Sequence, residues 1–234
     1  MGADQNIDWA KAAASALEWW HDAGVDTLVD ELPRDWLAAP AIEVVEQAPV
    51  AEGLPMALDA FLKWRTGLAA PEAGWGAAMI AACGPASADL MVLVDCPERD
   101  DRDALMSGAT GRLFDRMLAA IGRSRADIHL TAVCAARPTG GRTPRETEAR
   151  LGEIARHHVA LVAPKRLLVM GDAASRAVLS TELAAARGRL QCFSHNGGKR
   201  IDVVASFHPR FLLDKPAAKA EAWKDLQLLI GGLT

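Results

Sequence analysis

Four short apolar runs, each followed by a helical stretch, occupy the last two thirds of the chain and constrain its fold more than any other feature. They are DLMVLVD (89–95), DIHLTAVCA (127–135), KRLLVMG (165–171) and RIDVVASFHP (200–209). Continuous apolar runs of this length are how strands buried on both faces read. Between them, 111–122 predicts a helix with Leu113, Met117 and Leu118 on one face and Gly122 as its stop. A long helix is expected from Pro144 to Val162, opened by Thr143-Pro144 with Glu146 three residues after the Thr. DAASRAVLS predicts a helix capped by Asp172, and 217–231 the final helix. The alternation predicts an α/β fold: a three-layer α/β/α sandwich around a mainly parallel, four-stranded central sheet. Sites in such sheets gather at the carboxyl ends of the strands.

Upstream the pattern is looser. Residues 8–23 read as an amphipathic helix stopped by Gly24, 37–56 as an Ala- and Pro-rich connection, and 57–67 as a second short helix. The expected division is a helical extension over 1–75 and an α/β domain over 76–234. Half of the 234 residues are hydrophobic and 24% are charged, a globular composition. Such a chain is long enough to bury a core without a disulfide or metal staple. Lys plus Arg total 26 and Asp plus Glu 30, a net charge of −4, which excludes a uniformly basic protein that coats nucleic acid. A local basic face is compatible with that balance. No apolar run is long enough to span a membrane, and the N-terminus lacks the basic start and apolar middle of a secretory signal. A cytoplasmic protein without a membrane partner is expected. Cys83, Cys96, Cys134 and Cys192 form no C-x-x-C pair, so free and mostly buried thiols, no metal and no cofactor are expected.

Three strand ends carry chemistry. Asp95 closes an apolar strand, where a carboxylate either caps the following turn or serves a function. The acidic run behind it reads as a solvated loop. The loop Arg137-Pro138-Thr139-Gly140-Gly141-Arg142-Thr143-Pro144 is rigid and basic, and suits either phosphate binding or an ordinary strand-to-helix connection. His208 stands directly after the last strand and is locked by Pro209. It is either a functional imidazole or a ring bonded to a nearby backbone carbonyl. No G-x-G-x-x-G or Walker pattern is present, which argues against a nucleotide enzyme built on a phosphate loop.

In this order the three segments resemble the uracil-DNA glycosylase superfamily, closest to its thermostable iron–sulfur branch. Val94-Asp95-Cys96-Pro97-Glu98 resembles that branch's G-E-A-P-G, and Met106-Ser107-Gly108-Ala109-Thr110-Gly111-Arg112-Leu113-Phe114 its loop with an aromatic followed by V-G-x-A-G-x-L-L. Thr131 to Pro144 is similar to T-N-V-V-K-C-R-P-P-G-N-R-x-P, keeping Arg137, Pro138, Gly140, Arg142 and Pro144. Pro164-Lys165, Gly171 with Ala174, Arg187-Gly188-Arg189, Phe207-His208-Pro209 with Leu212-Leu213, and Trp223 with Asp225-Leu226 complete the set, which covers roughly 89–230. The resemblance implies that a damaged base is flipped out of DNA into a pocket. It makes Asp95 the carboxylate that positions or activates water, and His208 the group that stabilises charge on the departing base. It places backbone groups of Cys96 and Pro97 on the pocket, Met106 at the position of the stacking aromatic and Ala132 at that of the base-reading Asn.

Several positions depart from the pattern. Met106 offers a soft apolar contact, Ala132 has no side-chain hydrogen bond to give, and Glu98 replaces a Gly. Cluster-ligand positions hold Ala136 and Arg150, and no N-terminal cysteine pair exists. Two readings stand: a cluster-free, divergent glycosylase of base excision repair, monomeric and acting on single- or double-stranded DNA, or a non-catalytic module of the same fold that binds DNA or a protein. Either predicts a basic patch of Arg137, Arg142, Arg187, Arg189 and Arg210. Both also predict that the strands ending at 95 and 206 are neighbours. Asp95 and His208 should then face one cleft, with Met106 and Ala132 on its walls.

Overall fold

A computed structural model describes residues 9–22, 44–46, 53–140, 143, 145–194 and 200–231. The chain divides into two compact units, Met1–Ala41 and Ile42–Thr234. In the first, helix α1 (Trp9–Asp22) follows the expected 8–23 closely, and Leu17 and Trp19 are exposed on it.

The second unit runs β1 (Val44–Glu46), α2 (Leu58–Arg65), β2 (Leu90–Val94), α3 (Gly108–Ala120), β3 (Ile128–Ala132), α4 (Arg145–Val162), β4 (Arg166–Met170), α5 (Asp172–Leu179), α6 (Leu183–Ala186), β5 (Leu190–Ser194), β6 (Arg200–Ser206), α7 (Pro209–Asp214) and α8 (Lys219–Ile230). Helix α2 and the loop after it, placed by sequence in the extension, lie in this unit. Among the described residues the sheet has six strands, in the order β1-β5-β6-β4-β2-β3. The four expected strands are its contiguous parallel core, β6-β4-β2-β3. The two additional strands extend it: β5 runs antiparallel to β6, and β1 runs parallel to β5. β1 lies in the stretch read as a loose connection. A three-residue strand at a sheet edge carries too little periodicity to announce itself.

Strand alternation sorts the apolar runs into two cores. Met91, Leu93, Leu167, Val169, Val203 and Ala205 pack with α2, α4 and α5 on one face. Leu90, Val92, Val94, Leu168, Met170 and Val204 pack with α3 and α8 on the other. Sheet with helices on both faces is the three-layer sandwich.

Register then builds the site. Val94 lies opposite Ala132 and Met170, and Met170 opposite Ser206, so the four parallel strands end in one row. One expectation is corrected: β2 and β6 are not neighbours, because β4 lies between them. From β2 the chain proceeds through α3 to one side of the sheet, and from β4 through α5 and α6 to the other. The crevice between β2 and β4 is therefore the topological switch point, where doubly wound sheets hold ligands.

Candidate active site

Asp95 is the first residue beyond β2, and β4 ends beside it at Gly171. Gly171 has φ +111°, and a Cβ built there would fall within 2.5 Å of three carboxyl atoms of Asp95. Only glycine both takes this backbone conformation and leaves room for the carboxyl. Asp95 Oδ1 accepts the Ala174 N–H at 2.8 Å, in the first turn of α5. Asp95 therefore caps a helix, though not the turn after its own strand and not by local sequence. Asp172, expected as that cap, is instead the first helical residue, and its Oδ1 accepts the Leu183 N–H at 3.2 Å. Burial pushes the Asp95 carboxyl up to about 6, the Asp172 charge adds to the rise, and the Ala174 N–H, Arg210 and Arg176 oppose it. Asp95 Oδ2 makes no hydrogen bond among the described residues.

His208 caps α7 from the other side of β4, with Pro209 at the first helical position. Its Nδ1 accepts the Arg210 N–H at 3.2 Å. That bond assigns the proton of the neutral ring to Nε2. Nε2 is fully buried and has no hydrogen-bond partner among the described residues. Burial, with the Arg210 charge adding to it, pulls the imidazole down to about 3, so the ring is neutral at physiological pH. Asp95 and His208 line one cavity of about 470 Å³, with Arg187, Arg210 and the rings of Phe207 and Phe211 on its walls. These rings stack with centroids 4.7 Å apart and supply an aromatic wall that sequence reasoning missed. A second recess of about 660 Å³ meets the first at Asp95, Asp172 and Arg210 and carries two further cations, Arg145 and Arg176.

The remaining expected residues scatter. Met106 and Ala132 are buried in the core shared with α3 and do not line the cavity of Asp95 and His208. Met106 has φ +57°. Its N–H and that of Ser107 are held by the Asp101 carboxylate at 3.1 and 2.7 Å. Asp101 also accepts the Glu98 N–H at 2.8 Å, so the acidic run is a loop tied to a buried aspartate, not a freely solvated one. Cys96 lines the second recess and Pro97 a third, which also holds Trp75. Arg137 donates to the Pro97 carbonyl at 2.8 Å. Arg187 is spent in ion pairs with Glu221 and Asp225, both at 2.9 Å, and its guanidinium lies 3.5 Å over Phe207. Arg189 is exposed, Arg210 stands 3.3 Å from Glu98, and Arg142 lies outside the described residues. Of the expected basic patch, Arg187 and Arg210 thus stand against carboxylates.

An iron–sulfur cluster does not fit the residues present. Ala136 is buried without a donor atom, and Arg150 pairs with Glu153 at 3.0 Å. The nearby Glu72 carboxylate accepts the Ala135 N–H at 2.9 Å and pairs with Arg65. Among the described residues no group of three or more His, Cys, Asp or Glu side chains is placed to hold a metal ion. Among them, too, no helix is long and apolar enough to cross a membrane.

Fold and site together define a doubly wound α/β protein with a buried carboxyl and a neutral imidazole converging on its switch-point crevice. Residues 82–227, well over half the chain, match the model of the uracil DNA glycosylase superfamily, and the chain belongs to that superfamily. It is 27% identical over 154 residues to the Type-4 uracil-DNA glycosylase of Pyrobaculum aerophilum, an alignment covering 61% of this chain and 77% of that protein. It is also 27% identical over 154 residues to the Type-4 uracil-DNA glycosylase of Archaeoglobus fulgidus, covering 62% and 76%.

Proposed function

We propose that the protein is a divergent DNA glycosylase of base excision repair, cytoplasmic and monomeric, that hydrolyses the N-glycosidic bond of a flipped, uracil-type base. The observation that carries this reading is His208: a neutral imidazole lining the same cavity as the Asp95 carboxyl, with a buried Nε2 that has no hydrogen-bond partner among the described residues. Water held on Asp95 attacks C1′ of the sugar, the bond from C1′ to the base nitrogen breaks, and the bonding pair leaves with the base. The water proton passes to Asp95, and Nε2–H donates to the negative charge on the departing base. A positioned donor to a developing anion is worth most in a site closed to water, and His208 needs no proton uptake to act. The Phe207 and Phe211 rings give the cavity an apolar wall. The two relatives named above, uracil-DNA glycosylases by name, support the substrate class.

The test is excision from single-stranded and duplex oligonucleotides carrying uracil or another deaminated base. His208→Ala is expected to lower the single-turnover rate by roughly 10² or more, the usual loss on removing such a donor. Excision at the parental rate by this variant, or no excision by the parent on any of these strands, overturns the reading. Glu98 favours a second reading, in which the fold binds DNA without cleaving it. Its carboxylate stands 3.7 Å from His208 Nδ1, and a negative charge beside that ring works against a departing anion. Under that reading His208→Ala and Asp95→Asn bind DNA like the parent, and the parent is inactive.

A further inference from the structure

We propose that the recess holding Trp75 is a subsite for an unpaired nucleotide of the DNA strand, adjoining the flipped one. The proposal rests on the reading that this protein engages DNA, and it concerns residues with no role in the cleavage described above. The recess measures about 540 Å³ and is lined by Trp75, Pro97, Glu98, Arg99, Arg102 and Arg137, among others.

Trp75 comes from the loop after α2, ahead of the segment that matches the family. It packs partly against the first core, which fixes the indole, and the rest of it faces the recess. Among the described residues no ring or cation stacks on it. Its backbone is pinned as well: the N–H donates to Glu72 O at 3.0 Å, and the carbonyl accepts the Thr139 hydroxyl at 3.3 Å. The site thus offers a rigid aromatic, partly exposed in the recess, on which a base can stack.

Charge completes it. Arg99 and Arg102 are exposed and make no ion pair or hydrogen bond among the described residues. Arg137 is held to a backbone carbonyl and makes no ion pair among the described residues. Asp101, the other acid in the recess, already accepts three backbone N–H groups. An aromatic platform beside unneutralised guanidinium groups is the arrangement that binds single-stranded nucleic acid, base on ring and phosphate on cation. Position then ties the recess to the reaction. Glu98 lines it, and Glu98 lies 3.3 Å from Arg210 and 3.7 Å from His208, which line the cavity with Asp95. Glu98 thus links the walls of the two cavities, which places the recess beside the cavity of Asp95 and His208.

The test compares a labelled twelve-nucleotide thymidine strand with a strand of equal length made of abasic sugar phosphates, by fluorescence anisotropy. Trp75→Ala is expected to weaken the thymidine strand about tenfold, the scale of one base stacked on an aromatic. It should leave the abasic strand within twofold of the parent. Trp75→Phe, which keeps a ring and guards against a folding defect, should stay within threefold on both strands. Arg99→Ala with Arg102→Ala, both exposed, should weaken both strands and flatten the salt dependence by roughly 1.4 in log–log slope, two phosphates on a single strand. Equal losses on both strands with Trp75→Ala, no loss on either, an unchanged slope in the arginine variant, or no binding of thymidine by the parent each overturns the subsite. Excision assays on the same proteins separate the two proposals. Binding through Trp75 by a parent that cleaves nothing overturns only the enzymatic reading, and cleavage with Trp75→Ala binding normally overturns only the subsite.

Discussion

Asp95 is buried at a cost that depends on pH, and the sign of that dependence is open to measurement. In an unfolded chain its carboxyl titrates near 3.9. In the fold it is pushed up to about 6. Between those values the folded protein holds the proton more tightly, so stability is lost as pH rises from about 4 to about 6. The penalty levels off at roughly 3 kcal/mol, about two pKa units. Asp95→Asn removes the penalty and keeps an oxygen for the Ala174 N–H. It is expected to melt at least ~4 °C above the parent at pH 7.5 and level with it at pH 4. A melt at both pH values no higher than the parent's would contradict this. His208 runs the other way: its folded value of about 3 lies below the unfolded 6.5, so its share of stability is intact above pH 6.5 and drains away toward pH 3. Because His208 stays neutral across the working range, excision should rise once, with a midpoint near pH 6 as Asp95 ionises, and stay level to pH 8. A falling limb between pH 6 and 8 would show a second essential group.

The elements differ in how firmly their polar contacts hold them. The loop after α2 is tied to the end of β3 by Arg65 and Glu72, both buried, with Nη1 to Oε2 at 2.7 Å, Arg65 Nη2 to Val133 O at 2.7 Å and Ala135 N to Glu72 Oε1 at 2.9 Å. Glu72→Ala strands a buried guanidinium and should cost about 3–5 kcal/mol in denaturant unfolding. Arg176→Ala breaks ion pairs with Glu148 and Glu182 that are 40% or more exposed and should cost no more than ~1 kcal/mol. Equal costs would mean that burial does not decide the strength of these pairs. At the junction of β4 and α5, Gly171→Ala meets both a positive φ and the Asp95 carboxyl. It should lower stability by at least ~1 kcal/mol and, by displacing Asp95, reduce excision about as far as Asp95→Asn does. A variant with full activity would show that Asp95 need not sit against β4.

For the whole molecule, both core clusters are built from residues between Leu54 and Leu229. A fragment of residues 42–234 should therefore fold by itself and melt within ~3 °C of the full chain in calorimetry. A melting temperature many degrees lower would assign the first 41 residues a part in holding the second unit together.

The sequence by itself determined the four parallel strands, their flanking helices and the two strand-end residues Asp95 and His208. These are properties of consecutive residues: apolar runs, turn glycines, and a polar group at the end of each run. It did not determine the strand order. β4 separates β2 from β6 because connections leave β2 and β4 in opposite directions, and nothing local encodes that. Nor did it reveal β1 and β5, short strands whose patterns are weak. Asp101 read as solvated because its three N–H partners are brought round by a loop. Met106 and Ala132 kept their positions in the motif yet lie in the core, and Arg187 is consumed by acids on α8. Trp75 and Phe211 meet the recesses only through packing. Burial, partner and direction of a side chain depend on residues distant in the chain, and only the tertiary structure decides them.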